Sequence, residues 1–90
     1  MDSRIVRQPN GLLARFSPLI NGFTHMNANE AEALLICLDF DFMDLVAAKA
    51  KVGAPEPYEP ALAEIRAAKG DSDADWYADW CSRPQEAVRG

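Results

Sequence analysis

Hydrophobic residues concentrate in one stretch of the chain, from Asn29 to Gly53. Large apolar side chains recur there at the three- and four-residue steps of an α-helix, which predicts the helical core of a small domain. Asn29 and Glu32 have the spacing of a capping box, and Gly53 suits a left-handed position after the helix. The apolar face that is expected to be buried comprises Leu34, Leu35, Leu38, Phe42, Leu45 and Val46.

Polar residues interrupt this stretch at the alternating run D-F-D-F of residues 39–42. Alternation is typical of a strand and breaks the helical period, so two helices are expected, over about residues 29–38 and 41–52. Acids at positions 39, 41 and 44 also end the apolar run well short of the roughly 18–20 residues that cross a membrane. No membrane association is therefore expected.

The N-terminal part predicts a β-hairpin over about residues 4–17. Two short strand patterns flank an Asn-Gly dipeptide at residues 10–11, the pair most typical of a two-residue hairpin turn. An isolated hairpin is only marginally stable in water. Its apolar face is therefore expected to pack on the helices through Ile5, Leu13 and Phe16.

Proline and glycine divide the chain after the central stretch. Three prolines between residues 55 and 60 predict an extended connection. Two further helices are expected, one over about residues 60–69 that begins at Pro60, and one over about residues 72–82 that is capped by Ser72.

Together these patterns predict one α+β domain over residues 1–90, with a short N-terminal β-hairpin packed on three to four α-helices. Residues 19–26 predict either irregular chain or a short third strand. A chain of 90 residues with 49% hydrophobic content can form a modest core without disulfides or metal.

Charge is unevenly distributed along the chain, whose net charge is −5. Arg4, Arg7 and Arg15 make the N-terminal part basic, whereas the chain after residue 28 is acidic. Because phosphate contacts need Lys and Arg, direct nucleic-acid binding is not expected, and a basic surface on another protein is the more suitable partner. The N-terminus lacks the apolar stretch of a signal peptide, so a cytoplasmic location is expected.

No group of residues predicts catalysis or metal binding. His25 is the only histidine, and Cys37 and Cys81 are far apart in sequence, so the clustered ligands of a zinc site and a nucleophile–base pair are both missing. The D-x-D-x-D run at residues 71–75 matches the start of a calcium loop, but the glycine and glutamate that such a loop needs are absent. Neither an enzyme nor a cofactor is therefore expected.

Two clusters of aspartates are the candidate partner-binding residues. In the functional interpretation, these aspartates imitate the spacing of nucleic-acid phosphates or contact a basic groove on a partner, where Coulomb attraction speeds association. The ordinary alternative is that they form a solvated surface. In the last predicted helix the acids alternate with aromatic residues, which are enriched at binding hot spots. One of Trp76 and Trp80 is expected to be buried, and Tyr77 to be at least half exposed. The candidate residues are Asp39, Asp41, Asp44, Asp71, Asp73, Asp75, Tyr77 and Asp79.

A longer motif lies in the N-terminal part. Residues 8–17 are Q-P-N-G-L-L-A-R-F-S, and residues 23–27 are F-T-H-M-N, before an acidic helix start. Over roughly residues 4–38 the chain thus resembles a widespread group of small phage, prophage and mobile-element proteins with the pattern Q-P-N-G-x-x-A-R-F-S. The resemblance implies a mobile-element origin and a fold of a β-hairpin with helices. By analogy with other small acidic proteins of such elements, it also implies an inhibitor of host defence of the anti-CRISPR type.

Two functions follow from these expectations. The first is a small acidic phage or mobile-element protein in the cytoplasm of the host bacterial cell. It would bind and inhibit a host-defence complex, such as a CRISPR effector, by blocking a basic nucleic-acid-binding surface. The alternative is a homodimeric structural or accessory module without inhibitory activity, whose apolar helix face closes on a second copy.

Overall fold

The computed structural model describes residues 3–84 and shows an N-terminal sheet followed by helices. The sheet is antiparallel, with its strands in sequence order: β1 (Arg4–Arg7), β2 (Leu13–Ser17) and β3 (Gly22–Ala28). The helices are α1 (Glu30–Leu35), α2 (Leu45–Gly53), α3 (Tyr58–Lys69) and α4 (Asp71–Ser82), and a π-helical segment, Ile36–Phe40, continues α1. The predicted α+β class is confirmed. Residues 1–2 and 85–90 of the predicted domain lie outside the described residues.

The hairpin between β1 and β2 closes through a three-residue loop rather than the predicted two-residue turn. The amide of Gly11 donates to the carbonyl of Gln8 at 2.9 Å, and the amide of Gln8 donates to the carbonyl of Leu12 at 2.8 Å. Gly11 has a φ of 88°, the left-handed conformation that follows a type I turn in such loops. The prediction was wrong because Pro9 suits the first central position of a type I turn and moves the left-handed position to the glycine.

Strand β2 is the centre of the sheet, and each of its residues is buried. Its outer neighbours are β1 and β3, so the segment after the hairpin forms a third strand, of seven residues. Of the two alternatives predicted for residues 19–26, irregular chain or a short third strand, the structure contains the strand. It begins at Gly22 and extends beyond the expected residues to Ala28.

Helices cover both faces of the sheet, and each face has its own hydrophobic core. The prediction that one hairpin face buries Ile5, Leu13 and Phe16 together is therefore wrong, because strand alternation separates Phe16 from the other two. The core under α1 and α2 contains Ile5, Leu13, Ala28, Ala33, Cys37, Ala48 and Val52. The core under α3 and α4 contains Val6, Ala14, Phe16, Phe23, Tyr58, Ala61, Ile65, Ala74 and Cys81.

The central stretch is broken where the D-F-D-F alternation predicts. The capping box is also confirmed: Asn29 Oδ1 accepts from the Glu32 amide, and Glu32 Oε1 accepts from the Asn29 amide, both at 2.8 Å. Residues 41–44, which were expected to be helical, are not, because Asp44 caps α2 by accepting from the Ala47 amide at 2.7 Å. Gly53 is the last residue of α2 and not a left-handed residue after it, so that expectation is wrong.

The last two helices begin earlier than the sequence predicts. Helix α3 begins at Tyr58, which places Pro60 inside the first turn, where its missing N–H costs no helical hydrogen bond. Helix α4 begins at Asp71, directly after Gly70 at a φ of 97°. Ser72 is therefore not its cap, because Gly70, two residues earlier, occupies the N-cap position.

Candidate interaction surfaces

Side chains of the Q-P-N-G motif form hydrogen bonds that link the hairpin turn to the end of helix α4. The side-chain amide of Gln8 donates to Asn27 Oδ1 at 2.8 Å and to the carbonyl of Cys81 at 3.4 Å. Asn10 Nδ2 donates to the carbonyl of Arg83 at 2.8 Å. The last carbonyls of a helix have no partner within the helix, so these amides satisfy them from outside. In this structure the first half of the motif is therefore a structural clamp.

The second half of the motif places Arg15 in a buried ion pair with Asp41. Arg15 Nε donates to the two carboxylate oxygens at 3.0 and 3.1 Å, and the hydroxyl of Ser3 donates to Oδ2 at 2.9 Å. The side chains of Arg15 and Asp41 are only 9% and 12% exposed. Burial alone raises the pKa of Asp41, but the hydrogen bonds from Arg15 and Ser3 outweigh it and hold this pKa below its usual value.

His25 lies beside this ion pair, and its neighbours within residues 3–84 are a hydroxyl and an aromatic ring. Its ring is 5.1 Å from the ring of Phe40, and its Nδ1 is 2.9 Å from the hydroxyl of Thr24. Burial and the positive charge of Arg15 lower the pKa of His25, so the ring is neutral at pH 7. Burial raises the pKa of Cys37, and raises that of Cys81 to about 11, so neither free cysteine is a thiolate nucleophile at neutral pH.

The apolar face that was expected to form the helical core is largely exposed. The helical layer packs on the sheet through small residues, with Ala33, Cys37 and Ala48 almost completely buried. Leu34, Ile36, Leu38 and Met43 pack partly against this core, whereas the other large side chains of residues 35–46 are exposed. The core prediction is therefore wrong for most of that face. We call the exposed large side chains of residues 35–46 the apolar surface: Leu35, Phe40, Phe42, Leu45 and Val46.

Phe42 is the most exposed member of the apolar surface, at 87%. Its φ is 55°, a left-handed conformation that bulky residues rarely adopt. The residues on either side are fixed, because the Asp41 amide donates to the Ile36 carbonyl at 3.2 Å and the Met43 amide donates to the Cys37 carbonyl at 3.0 Å. The chain thus holds a phenylalanine in solvent at a strained position between two anchored residues.

The predicted partner-binding aspartates lie on two separate surfaces. Asp39 and Asp44 are exposed and lie among the residues of the apolar surface in the sequence, and Asp44 also caps α2. Asp41 lies between them in sequence but is buried by Arg15, so the expectation that it is solvated is wrong. The second set, on α4 beyond the opposite face of the sheet, comprises Asp71, Asp73, Asp75 and Asp79.

The acids on α4 are exposed but mostly paired with arginines. Arg66 bonds Asp71 at 2.7 Å and Asp75 at 3.4 Å. Arg83 bonds Asp79, whereas Asp73 makes no ion pair within residues 3–84. These are surface ion pairs, whose attraction is weakened by solvent screening. They nevertheless offset part of the negative charge that this surface presents to a partner.

The aromatic residues of α4 also differ from expectation. Trp76 and Trp80 are 55% and 37% exposed, so neither is buried. Tyr77 is mostly buried, with its ring 5.4 Å from the ring of Phe23, and the expectation that it is at least half exposed is wrong. Burial and then the charge of Asp73 raise the pKa of Tyr77. Among the aromatic residues of this helix, the tyrosine is therefore the one that packs against the core beside the buried Ala74 and Cys81.

A shallow groove of about 330 Å³ runs between α1 and α2. Glu30 lies on the α1 wall and Lys49 on the α2 wall, and the other lining residues are apolar or glycine. No sequence pattern predicts this groove, because its two walls come from helices that are separated by the break at residues 41–44. Its lining residues are Glu30, Ala31, Leu34, Lys49, Val52 and Gly53.

The structure offers neither a metal cluster nor a membrane-spanning helix within the described residues. No three His, Cys, Asp or Glu side chains in residues 3–84 lie close enough to hold a metal ion. In the same part of the chain, no helix has the length and apolarity to cross a bilayer. In comparisons with known proteins, no protein-family model matches the chain, and no curated protein or solved structure matches it significantly.

Proposed function

We propose that this protein is a non-enzymatic interaction protein that binds a basic surface on a bacterial protein complex. The observation on which the proposal rests is the apolar surface of residues 35–46, which the fold leaves in solvent although it contains two phenylalanines. Exposed apolar side chains in such numbers mark protein–protein contacts on small soluble domains. Aromatic residues in particular supply much of the binding energy of an interface.

The charge around this surface favours a basic partner. Within residues 35–46 the charged residues are all aspartates, and Arg15 neutralises the middle one. Asp39 and Asp44 are left to form a negative rim beside an apolar centre, which is the usual anatomy of an interface. The exposed aspartates and tryptophans of α4 give the opposite layer a similar character.

The biological setting is proposed from the resemblance of the N-terminal motif. It suggests a phage or mobile-element protein that acts in the cytoplasm of its bacterial host. The binding then inhibits a host-defence complex, such as a CRISPR effector, by occupying a basic surface that nucleic acid needs. No direct contact between this protein and nucleic acid is part of the proposal.

A homodimeric accessory module is the second candidate function. The groove between α1 and α2 favours it, because Glu30 and Lys49 place opposite charges on its two walls. In a two-fold dimer, Glu30 of one copy faces Lys49 of the other, which makes the surface self-complementary. This arrangement requires no inhibitory activity.

Light scattering and a plasmid-interference assay distinguish the two functions. The first function predicts a monomer that protects a plasmid from interference, with protection weakened by the triple variant Asp73→Lys, Asp75→Lys, Asp79→Lys or by Asp39→Asn with Asp44→Asn. Asparagine keeps the cap at position 44. The second predicts a dimer that Glu30→Lys disrupts and that the added change Lys49→Glu restores. A monomer without protective activity, insensitive to salt, contradicts both.

A further inference from the structure

We infer that Phe42 is the anchor of the interface, that it enters an apolar pocket of the partner rimmed by lysine or arginine, and that the Arg15–Asp41 ion pair positions it. The inference rests on the proposed function and names the residue and the partner surface that this function requires. It also gives Arg15 of the N-terminal motif a role in positioning the binding surface.

The backbone at Phe42 is the first observation. A φ of 55° is unfavourable for a residue with a bulky Cβ substituent, and glycine or asparagine normally occupies such a position. The phenyl ring gains no compensating burial, because it is 87% exposed. A strained residue that contributes no packing to its own fold indicates a role outside that fold.

The attachment of the neighbouring residues is the second observation. On one side, Asp41 is held by Arg15 and Ser3, and Arg15 itself belongs to the fully buried central strand. On the other side, the Met43 amide bonds to the Cys37 carbonyl, and α2 begins two residues later. The ring of Phe42 is thus presented from a rigid support, which lowers the entropy that is lost on binding.

The surrounding charge determines the kind of partner. Two copies of this surface placed face to face would bring two negatively charged surfaces together, since each contains Asp39 and Asp44, and like charges across an interface are unfavourable. A pocket with lysine or arginine at its rim is complementary to this acidic surround. The expected binding partner is therefore a different protein and not a second copy of this chain.

Site-specific photocrosslinking tests the pocket. The crosslinking amino acid p-benzoylphenylalanine is placed at position 42, or at position 76 on the opposite layer, and each full-length protein is irradiated in bacterial lysate. The expected result is a protein adduct from position 42 at least about tenfold more abundant than from position 76. The crosslinked peptide is expected to map to an apolar pocket flanked by Lys or Arg. Asp39→Asn with Asp44→Asn, or Asp41→Asn in protein shown to be folded, should lower the yield several-fold.

The outcomes separate this inference from the proposed function. Adducts only from position 76, or from position 42 to an acidic site, leave an interaction protein but overturn Phe42 as its anchor. Adducts from position 42 to a second copy overturn the inference in favour of the dimer. No adduct from either position contradicts the proposed function as well.

A stability measurement tests the strain without any partner. Phe42→Gly and Phe42→Ala both remove the ring, but only glycine adopts the left-handed backbone without strain. The melting temperature of the glycine variant is therefore expected to exceed that of the alanine variant by about 4–8 °C for a domain of this size. Equal melting temperatures would mean that the backbone at position 42 is not strained, and this would overturn the inference.

Discussion

Arg15 on the central strand and Asp41 in the loop before α2 are joined by a paired hydrogen bond, and the ring of Phe40 closes over it. The guanidinium carbon of Arg15 lies 4.6 Å from the centre of that ring. The ion pair therefore has an aromatic cover on one side and the sheet on the other. It connects the most buried strand of the fold to the segment that displays the apolar surface.

Breaking this ion pair should destabilise the fold far more than breaking an exposed one. Asp41→Asn leaves the buried guanidinium of Arg15 without its counter-charge, a change that costs about 3–5 kcal/mol. Asp79→Asn, which removes a partner from exposed Arg83, is the matched control and should cost about 0–1 kcal/mol. Urea unfolding measures both free energies. Similar losses in the two variants would show that the buried pair contributes no more than a surface contact.

Acid should reduce the contribution of this pair in a defined pH range. The pKa of Asp41 is lower in the folded protein than in the unfolded chain, where an aspartate has a pKa of about 3.9. Its stabilisation is therefore fully present above pH about 4 and decreases as the pH falls through the lower, folded value. We expect the difference in unfolding free energy between the wild type and Asp41→Asn to be constant from pH 7 to 5 and to narrow below pH 4. A difference that widens in acid would contradict the sign of this pKa shift.

Removing the glutamine of the motif should loosen the end of α4. Gln8→Ala takes a donor from the Cys81 carbonyl and both a donor and an acceptor from Asn27, which leaves buried polar groups unpaired at a cost of about 1–3 kcal/mol. The variant should increase the amide hydrogen-exchange rates in the last turn of α4 more than those in β2. Ser82→Ala, at an exposed position on the same helix end, is the control and should change stability by less than about 0.5 kcal/mol.

The hydroxyl of Tyr58 should be dispensable for stability. It is buried, and within residues 3–84 its candidate partner is the Cys81 thiol, a weak hydrogen-bonding group outside normal geometry, so folding removes the hydroxyl from water with little compensation. Tyr58→Phe keeps the ring, which stacks on Phe23 at 6.0 Å, and is expected to leave the unfolding free energy unchanged or raise it by about 1 kcal/mol. Calorimetry on both proteins measures this. A loss above about 1.5 kcal/mol would show that the hydroxyl has a partner, for which the neighbouring Cys81 thiol is the candidate.

Local sequence signals predicted the elements of this fold better than they predicted its packing. The capping box at Asn29 and the break near residues 38–41 depend on side chains within a few residues, and both are present in the structure, where the helical segment ends at Phe40. Helix starts at Tyr58 and Asp71 were missed by one or two residues, because a left-handed glycine and an extended proline set them without a side-chain cap.

The apolar surface shows why burial was harder to predict. Leu35 and Val46 satisfy a helical apolar pattern as well as Ala33 and Ala48 do, yet the alanines pack on the sheet and the larger residues face solvent. Helical periodicity shows which residues share one face of a helix. Which of these faces is buried depends on how closely the helix approaches the sheet. The ion pair of Asp41 with Arg15 was missed for a similar reason, since it joins residues 26 apart in sequence and each carries a charge typical of a surface.

The linker before α3 has a consequence for how other chains can bind. Glu56 pairs with the outer side of β1, donating its amide to the Ile5 carbonyl at 2.8 Å and accepting from the Arg7 amide at 3.0 Å. The prolines on either side of Glu56 have no N–H to offer an incoming strand. The ladder therefore ends after a single bridging residue, and no foreign or identical chain can extend the sheet across β1. Fibril growth by strand addition is blocked at this edge, and recognition there has to proceed through side chains rather than through the main chain.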